Sequence, residues 1–420
     1  MKKILVRTLC ILLCVLLCPV FLVSCGNETV LALGPYEIKE DHFRYLAGMY
    51  NRKILTSMGI YGSPWSATDP TTGITVGQAV DSQYTASFLK SVYTLLYSQL
   101  LFDVYDLDFP SEMEQMIEEN VSTIVNYYGK YSEQRFDDIA KDYGFSADTL
   151  REVYTMQTKQ TLVVNHLFGE NGEKIEPEKL DKLYTDNYIC FQTIVINNKY
   201  KIVKETNDKG ESVDVLEDLT DLEKKERNDI IDDLTNLFIT DKESEEYKSY
   251  VYKVIDPTRS YNELYSMYSD DKAYPNGCYS VNPKTVSVQS AITAASLLKE
   301  NDVARVKAKR YFVQGGTVEI GGKKETINAG DYFEYGYVFV QRLPLEEKAY
   351  EKEEFKDFFG SFISDSIYSL FMDFLADYEA NESSYTLEEF SIIDDIPLSS
   401  VTPNNLDYNF INGEITESDK

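Results

Sequence analysis

Imidazole, thiol and carboxylate are the side chains from which most enzyme chemistry is built, and this chain supplies them unevenly. Its 420 residues include two histidines, His42 and His166, in separate helical segments. Histidine is the group that most readily exchanges protons near neutral pH, so acid–base catalysis of that kind is poorly supplied. No HExxH, no CxxC and no DxDxDG loop with a closing Glu occurs, so neither a metal site nor a cofactor is expected. Carboxylates are abundant, with 70 Asp and Glu against 41 Lys and Arg, but no spacing among them specifies an acidic-substrate or metal site.

The thiols sort by position. The chain opens MKKILVRTLCILLCVLLCPVFLVSCGNE, with a basic start at Lys2, Lys3 and Arg7, an apolar run over residues 8–23, and small residues at Ser24-Cys25-Gly26. Such an arrangement is an export signal. The apolar run of about 16 residues is shorter than the roughly 20 that span a bilayer comfortably. Leu22-Val23-Ser24-Cys25 resembles the bacterial lipobox, which implies lipid modification at Cys25 and a mature chain beginning there. Acyl chains would then hold the protein to the membrane at about 0.8 kcal/mol per buried methylene. Cys10, Cys14 and Cys18 leave with the signal, so Cys190 and Cys278 are the thiols of the mature body. Both lie in apolar, strand-like surroundings and read as buried, inert thiols, although the compartment would permit a bridge.

Loss of residues 1–24 moves the formal net charge from −29 to −32. That charge repels phosphate and excludes nucleic acid as a partner. It also argues against a polybasic face on the membrane.

The elements that position these residues fall into three stretches. Val30–Leu33 reads as a short strand turning at Gly34-Pro35, and Asp41 opens a helix with Phe43, Leu46, Tyr50 and Ile54 near one face. Residues 59–78 are rich in Gly, Pro, Ser and Thr and read as a loop, followed by a long helix from Val80 to Val104. Medium amphipathic helices then follow, with Ser111, Ser132 and Ser146 as expected caps and Gly144 as a stop. From residue 187 strands predominate: Ile189–Ile196, Tyr200–Glu205, Val303–Val313, Thr317–Ile320 and Tyr335–Arg342, with VEIGGKKETI as a hairpin. Helix returns after Pro344 as one apolar-faced element carrying Phe355, Phe358, Phe362, Ile367, Leu370, Phe371 and Phe374, expected to pack on the N-terminal helices. The expected class is α+β, and the tail NGEITESDK is expected to be disordered.

The order of these pieces resembles the PrsA/SurA-type extracytoplasmic foldases, in which a parvulin-like peptidyl-prolyl isomerase domain is inserted into a helical chaperone domain. The lipobox, the start ALGPYEIKEDHF and the closing helix carry the resemblance over most of residues 30–385. Within the insert it rests on CFQTIVI, on YNELYSMYSDDKAYPNGCYSV, and on AITAASLLKENDVARV followed by YGYVFVQRLP. The implied domains are a signal over 1–24, a helical domain over 25–186, a parvulin-like domain over 187–344, a helical return over 345–410 and a tail over 411–420. The family's two histidine positions fall on Thr193 and Val338. Its acidic position falls on Asp271, with Asp270 beside it, and the apolar floor of the proline pocket falls at Ala291. The family's glycine pair is reduced to Asn276-Gly277.

Prolyl isomerisation crosses a barrier of about 18–20 kcal/mol without breaking a covalent bond, so it depends on an apolar pocket and on polar groups that stabilise the twisted amide. A Thr–Val pair does not reproduce two hydrogen-bonded imidazoles. The resemblance therefore implies a lipid-anchored, extracytoplasmic chaperone for unfolded exported polypeptides, with its isomerase domain kept as a scaffold. An active isomerase rearranged around Asp270 and Asp271, and a surface lipoprotein binding a sugar or peptide on its tyrosines, are the alternatives.

The anchor makes a direct prediction. Cys25→Ser should leave the protein unlipidated and unprocessed at that site. Metabolic labelling with a radioactive fatty acid checks it, and normal lipid incorporation in the mutant rejects the assignment.

Overall fold

The computed structural model describes residues 28–57, 65–68, 73–206, 212–283, 290–312, 316–328 and 330–406, so the signal, Cys25 and the tail from 411 lie outside the described residues. The fold is α+β, with antiparallel sheets and helices in each of two compact units. One unit comprises residues up to Lys174 and those from Ile367 onward, and the other Ile175–Ser366.

The first unit opens with β1 (Thr29–Leu33) and β2 (Tyr36–Lys39), an antiparallel hairpin turning at Gly34. Gly34 has φ +61°, and a Cβ there would meet the Tyr385 ring at 2.5 Å, so the turn needs glycine. Helices α1 (Glu40–Ser57), α2 (Val76–Val104), α3 (Ser111–Gly129), α4 (Glu133–Ala140) and α5 (Ala147–Phe168) follow. Val30, Leu31, Leu33 and Ile38 join Phe43, Phe88 and Leu96 in one core, while Tyr45, Ile117, Val121, Phe136 and Leu150 form another.

Local capping chemistry sets these helix ends. Thr75 accepts from the Gln78 N–H at 3.1 Å and Gln78 reaches back to the Thr75 N–H, so α2 begins four residues before the expected Val80. Ser132 and Ser146 cap α4 and α5 as expected. Ser111 does not cap α3. The Pro110 carbonyl takes the first helical bonds, from Met113 and Glu114, and Ser111 is already inside the helix.

The second unit contains α6 (Pro177–Asn187), β3 (Tyr188–Asn197), β4 (Tyr200–Thr206), β5 (Ser212–Asp218), α7 (Asp221–Phe238), α8 (Glu245–Ser249), α9 (Tyr261–Tyr268), β6 (Cys278–Val281), α10 (Ser290–Leu297), β7 (Val303–Phe312), β8 (Gly316–Ile320), β9 (Lys323–Ile327), β10 (Asp331–Leu343) and α11 (Lys356–Phe359). Its main sheet has the order β6-β3-β10-β7 and is antiparallel throughout. Alternation along β3 splits the core. Ile194 and Ile196 join Leu234 and Leu264 of α7 and α9, whereas Ile189 and Phe191 join Ala295 of α10. β4 and β5 form a separate hairpin, as do β8 and β9.

The expected single closing helix is two elements. Phe355 and Phe359 of the short turns before Gly360, with Phe362, enter an aromatic cluster with Tyr184 and Tyr279 in the second unit. Phe371, Leu375 and Tyr378 of α12 (Phe362–Asn381) instead enter the core of the first unit, where Phe371 meets Phe168 of α5. β11 (Leu387–Glu389) then pairs with β1, giving the order β11-β1-β2.

One buried carboxylate fixes a loop of the second unit. Asp233 on α7 is fully buried and accepts the N–H groups of Lys253 (2.9 Å), Val254 (2.9 Å) and Ile255 (3.1 Å), with the Tyr250 hydroxyl donating at 2.9 Å. An orphaned buried donor costs about 1–3 kcal/mol, so Asp233→Ala should destabilise the unit by about 3 kcal/mol and Tyr250→Phe by about 1. Hydrogen exchange checks this through the amides of residues 253–255, which should lose protection in Asp233→Ala; unchanged protection would mean the loop is held by other contacts.

Candidate functional site

Thr193, Val338 and Ala291 lie together on one face of the main sheet, with the loop of Asp270 and Asp271 beside it. Thr193 pairs with Val340 and Val195 with Val338 across β3 and β10, so Thr193 and Val338 project from the same face. That face buries Ile189, Phe191, Ala308, Val338 and Val340 beneath Ala295 of α10, with Ala291 and Ile292 packed at its margin. Asp270 and Asp271 arrive by a loop sewn to β3: the Val195 N–H donates to Ser269 Oγ at 3.0 Å, and the Asp270 N–H donates to the Val195 carbonyl at 2.8 Å.

The two carboxylates then diverge. Asp270 accepts the Asn197 N–H at 2.7 Å and pairs with Arg227 at 2.6 Å, so it holds structure. Asp271 is exposed, accepts the Ala273 N–H at 2.9 Å, and acts electrostatically on Tyr335 and Cys278, both on the face. Gly277, at φ +101°, precedes Cys278, and a Cβ there would sit 2.9 Å from Leu343 and 3.0 Å from the Cys190 sulfur. Gly336 is equally required, since a Cβ would lie 2.0 Å from the Ile196 carbonyl at the bulge in β10.

Three further side chains belong to this face. Burial, assisted by Asp271, pushes the Cys278 thiol up to about 11 and raises Tyr335 as well. Arg342 lies on the same face by alternation from Val338 and Val340. Its pKa is lowered by burial, and its Nη1 has no hydrogen-bond partner among the described residues. The alternation of YGYVFVQRLP, extended by one step, would have identified it from sequence. No sequence signal marks Tyr335 or Cys278, because a loop fold brings Asp271 to them.

Chemically, the face is an apolar wall with protonated thiol and phenol at neutral pH. Cys278 is no nucleophile, since the thiolate is the reactive form. Cys190, also a free thiol, is pushed to about 11 by burial. The imidazoles have other partners: His42 Nε2 lies 2.7 Å from Glu152 and the His166 ring packs on Tyr105. Among the described residues no group of three or more His, Cys, Asp or Glu is placed to hold a metal ion, and no helix is long and apolar enough to cross a membrane.

The first unit has a cavity of its own, of about 230 Å³. Phe43 of α1 and Thr85, Phe88 and Leu89 of α2 form one side, and Ile393, Ile396 and Leu398 the other. Glu389 and Asp394 also line it.

Searches against known proteins give a narrow result. No family model matches the chain, and no curated protein matches it. Among solved structures it is similar to the foldase protein PrsA from Streptococcus pneumoniae, at 12% identity and a TM-score of 0.22, covering 78% of this chain and 96% of that one. It is also similar to the foldase protein PrsA from Lactococcus lactis, at 12% identity and a TM-score of 0.23, covering 89% and 99% respectively.

Proposed function

We propose that this chain is an extracytoplasmic chaperone, tethered to the membrane through lipid on Cys25, that holds unfolded exported polypeptides. The observation that carries the binding role is the cavity of the first unit. An apolar wall of Phe43, Phe88, Leu89 and Ile393 with two carboxylates suits an apolar client side chain flanked by Lys or Arg. The chain's formal charge of −29 favours the same clients, because cationic segments are drawn to it over distance.

The parvulin-like unit serves this role as a scaffold without turnover. Thr193 and Val338 occupy the positions of the resembled histidines, on a face whose titratable neighbours Cys278 and Tyr335 are held protonated. Neither of those two groups exchanges a proton readily near pH 7, as a general acid or base must.

Two assays on the mature chain, residues 27–420, test the reading together. Wild type should suppress aggregation of an unfolded basic test protein, and Leu89→Glu with Ile393→Glu should lower that suppression about tenfold by placing charge in the groove. A panel of Xaa-Pro peptides should show no catalysed isomerisation. Turnover abolished by Asp271→Ala would establish the isomerase instead, and failure in both assays would favour the ligand-binding lipoprotein.

A further inference from the structure

In a chain with this excess of acid, β7 is anomalous. It reads VARVKAKRYF, carrying Arg305, Lys307, Lys309 and Arg310 and no acidic residue. Arg305, Lys309 and Arg310 have no ion pair among the described residues, and Lys307 reaches one, Glu334 at 3.6 Å. They rest on aromatic rings instead. Arg305 and Lys307 lie over Tyr337 at 5.2 and 4.4 Å, and Lys309 over Tyr332 at 4.1 Å. Rings help to hold these side chains in place, with Arg305 also donating to Thr235 Oγ1 at 2.9 Å, and they leave Arg305 and Lys309 without a carboxylate partner among the described residues.

β7 is also the last strand of the sheet order β6-β3-β10-β7, so among the described residues its outer edge is unpaired. The backbone direction follows from its bonds. The Asp302 and Phe312 carbonyls accept from Arg342 and Gly330 on the β10 side, whereas the Lys307 carbonyl accepts only the Ser290 hydroxyl, at 3.3 Å. Alternation therefore turns the N–H and C=O groups of Arg305, Lys307 and Lys309 outward. The same three residues share one face, since Arg305 and Lys307 stand opposite Phe339 and Tyr337.

We propose that β7 is a docking edge for an extended acidic peptide segment, which adds to the sheet as a further strand with its carboxylates at alternate residues. Charges on β7 repeat every second residue, about 6.8 Å, and an added strand has the same repeat, so carboxylates two residues apart meet successive cations. A phosphate or carboxylate cluster without that spacing would meet only one. Lysines on an edge strand also serve to discourage pairing between sheets. That role does not call for side chains ordered on aromatic rings. The inference rests on the reading of this chain as a binder of extended polypeptides, but it concerns a different surface and the opposite client charge from the cavity of the first unit.

The experiment uses the mature chain and a fluorescent peptide alternating Glu with Val and Thr, with binding followed by anisotropy at low salt. The alternating peptide should bind at least about fivefold more tightly than an isomer with its Glu residues in one block, and Lys307→Glu with Lys309→Glu should weaken it about tenfold or more. N-methylation along one edge of the peptide should abolish binding, and along the other leave it intact, because only one edge donates to β7. In unmutated protein, the amides of Arg305, Lys307 and Lys309 should gain exchange protection on binding, which keeps the test valid if the double variant misfolds. Equal affinity for the block isomer and both N-methylated peptides, or no added protection of β7, overturns the proposal. Aggregation suppression of the basic test protein, measured on the same double variant, should be unchanged; its loss in wild type would sink the general reading without bearing on β7.

Discussion

The second unit depends on β3 being buried on both faces. Tyr188–Asn197 carries no charge; β10 pairs with it on one side, and on the other β6 pairs with Tyr188–Phe191 while Ser269 and Asp270 bond Val195 and Asn197. One row of its side chains must therefore be covered by α7 and α9, and the other by α10. A strand wrapped in this way fixes register strongly, since a slip of one residue would exchange the rows and carry Thr193 into the Ile194 core. The loop bonds at Val195 and Asn197 reinforce the same register from the backbone, and place Asp270 and Asp271 as a consequence.

This explains which parts of the structure were readable beforehand. Uncharged YICFQTIVI announces a doubly covered strand because β-branched and aromatic side chains suit no other environment so well. Ser132 and Ser146 were readable because a cap is local chemistry between residues three apart. Ser111 has the same pattern with Glu114, but Pro110 already supplies the first acceptor, and the pattern carries no sign of that. β5 was hidden for a different reason: SVDVLED pairs only with β4 in a hairpin outside the main sheet, where Asp218 is exposed. The closing helix was overextended because apolar residues recur at helical spacing on both sides of Gly360, though Phe359 and Phe371 belong to different cores.

The site was legible in part, and the division has the same physical basis. Thr193, Val338 and Ala291 lie on regular elements, where period 2 or 3.6 fixes direction. Asp271 acts through a loop whose path depends on Ser269 bonding a distant strand, and the thiol of Cys278 and the ring of Tyr335 matter only once that loop is in place. Arg342 required no more than counting along β10. It was passed over because Val338 and Val340 make the strand read as wholly apolar.

The same burial argument bears on what Thr193 and Val338 contribute to the strands that hold the unit together. An imidazole on a covered sheet face must be hydrogen-bonded, or its desolvation works against folding. Val at that position removes the demand and returns the transfer free energy of a buried aliphatic group, of order 1.5–3 kcal/mol. Thr keeps one hydroxyl and gains a β-branched fit to the pleat. Both side chains thus favour the strand that organises the unit, and the demand for glycine at Gly277 and Gly336 comes from other contacts. The ordering of Arg305 and Lys307 on Tyr337 belongs to the opposite face of the sheet from Val338, so it does not depend on which side chains stand at Thr193 and Val338.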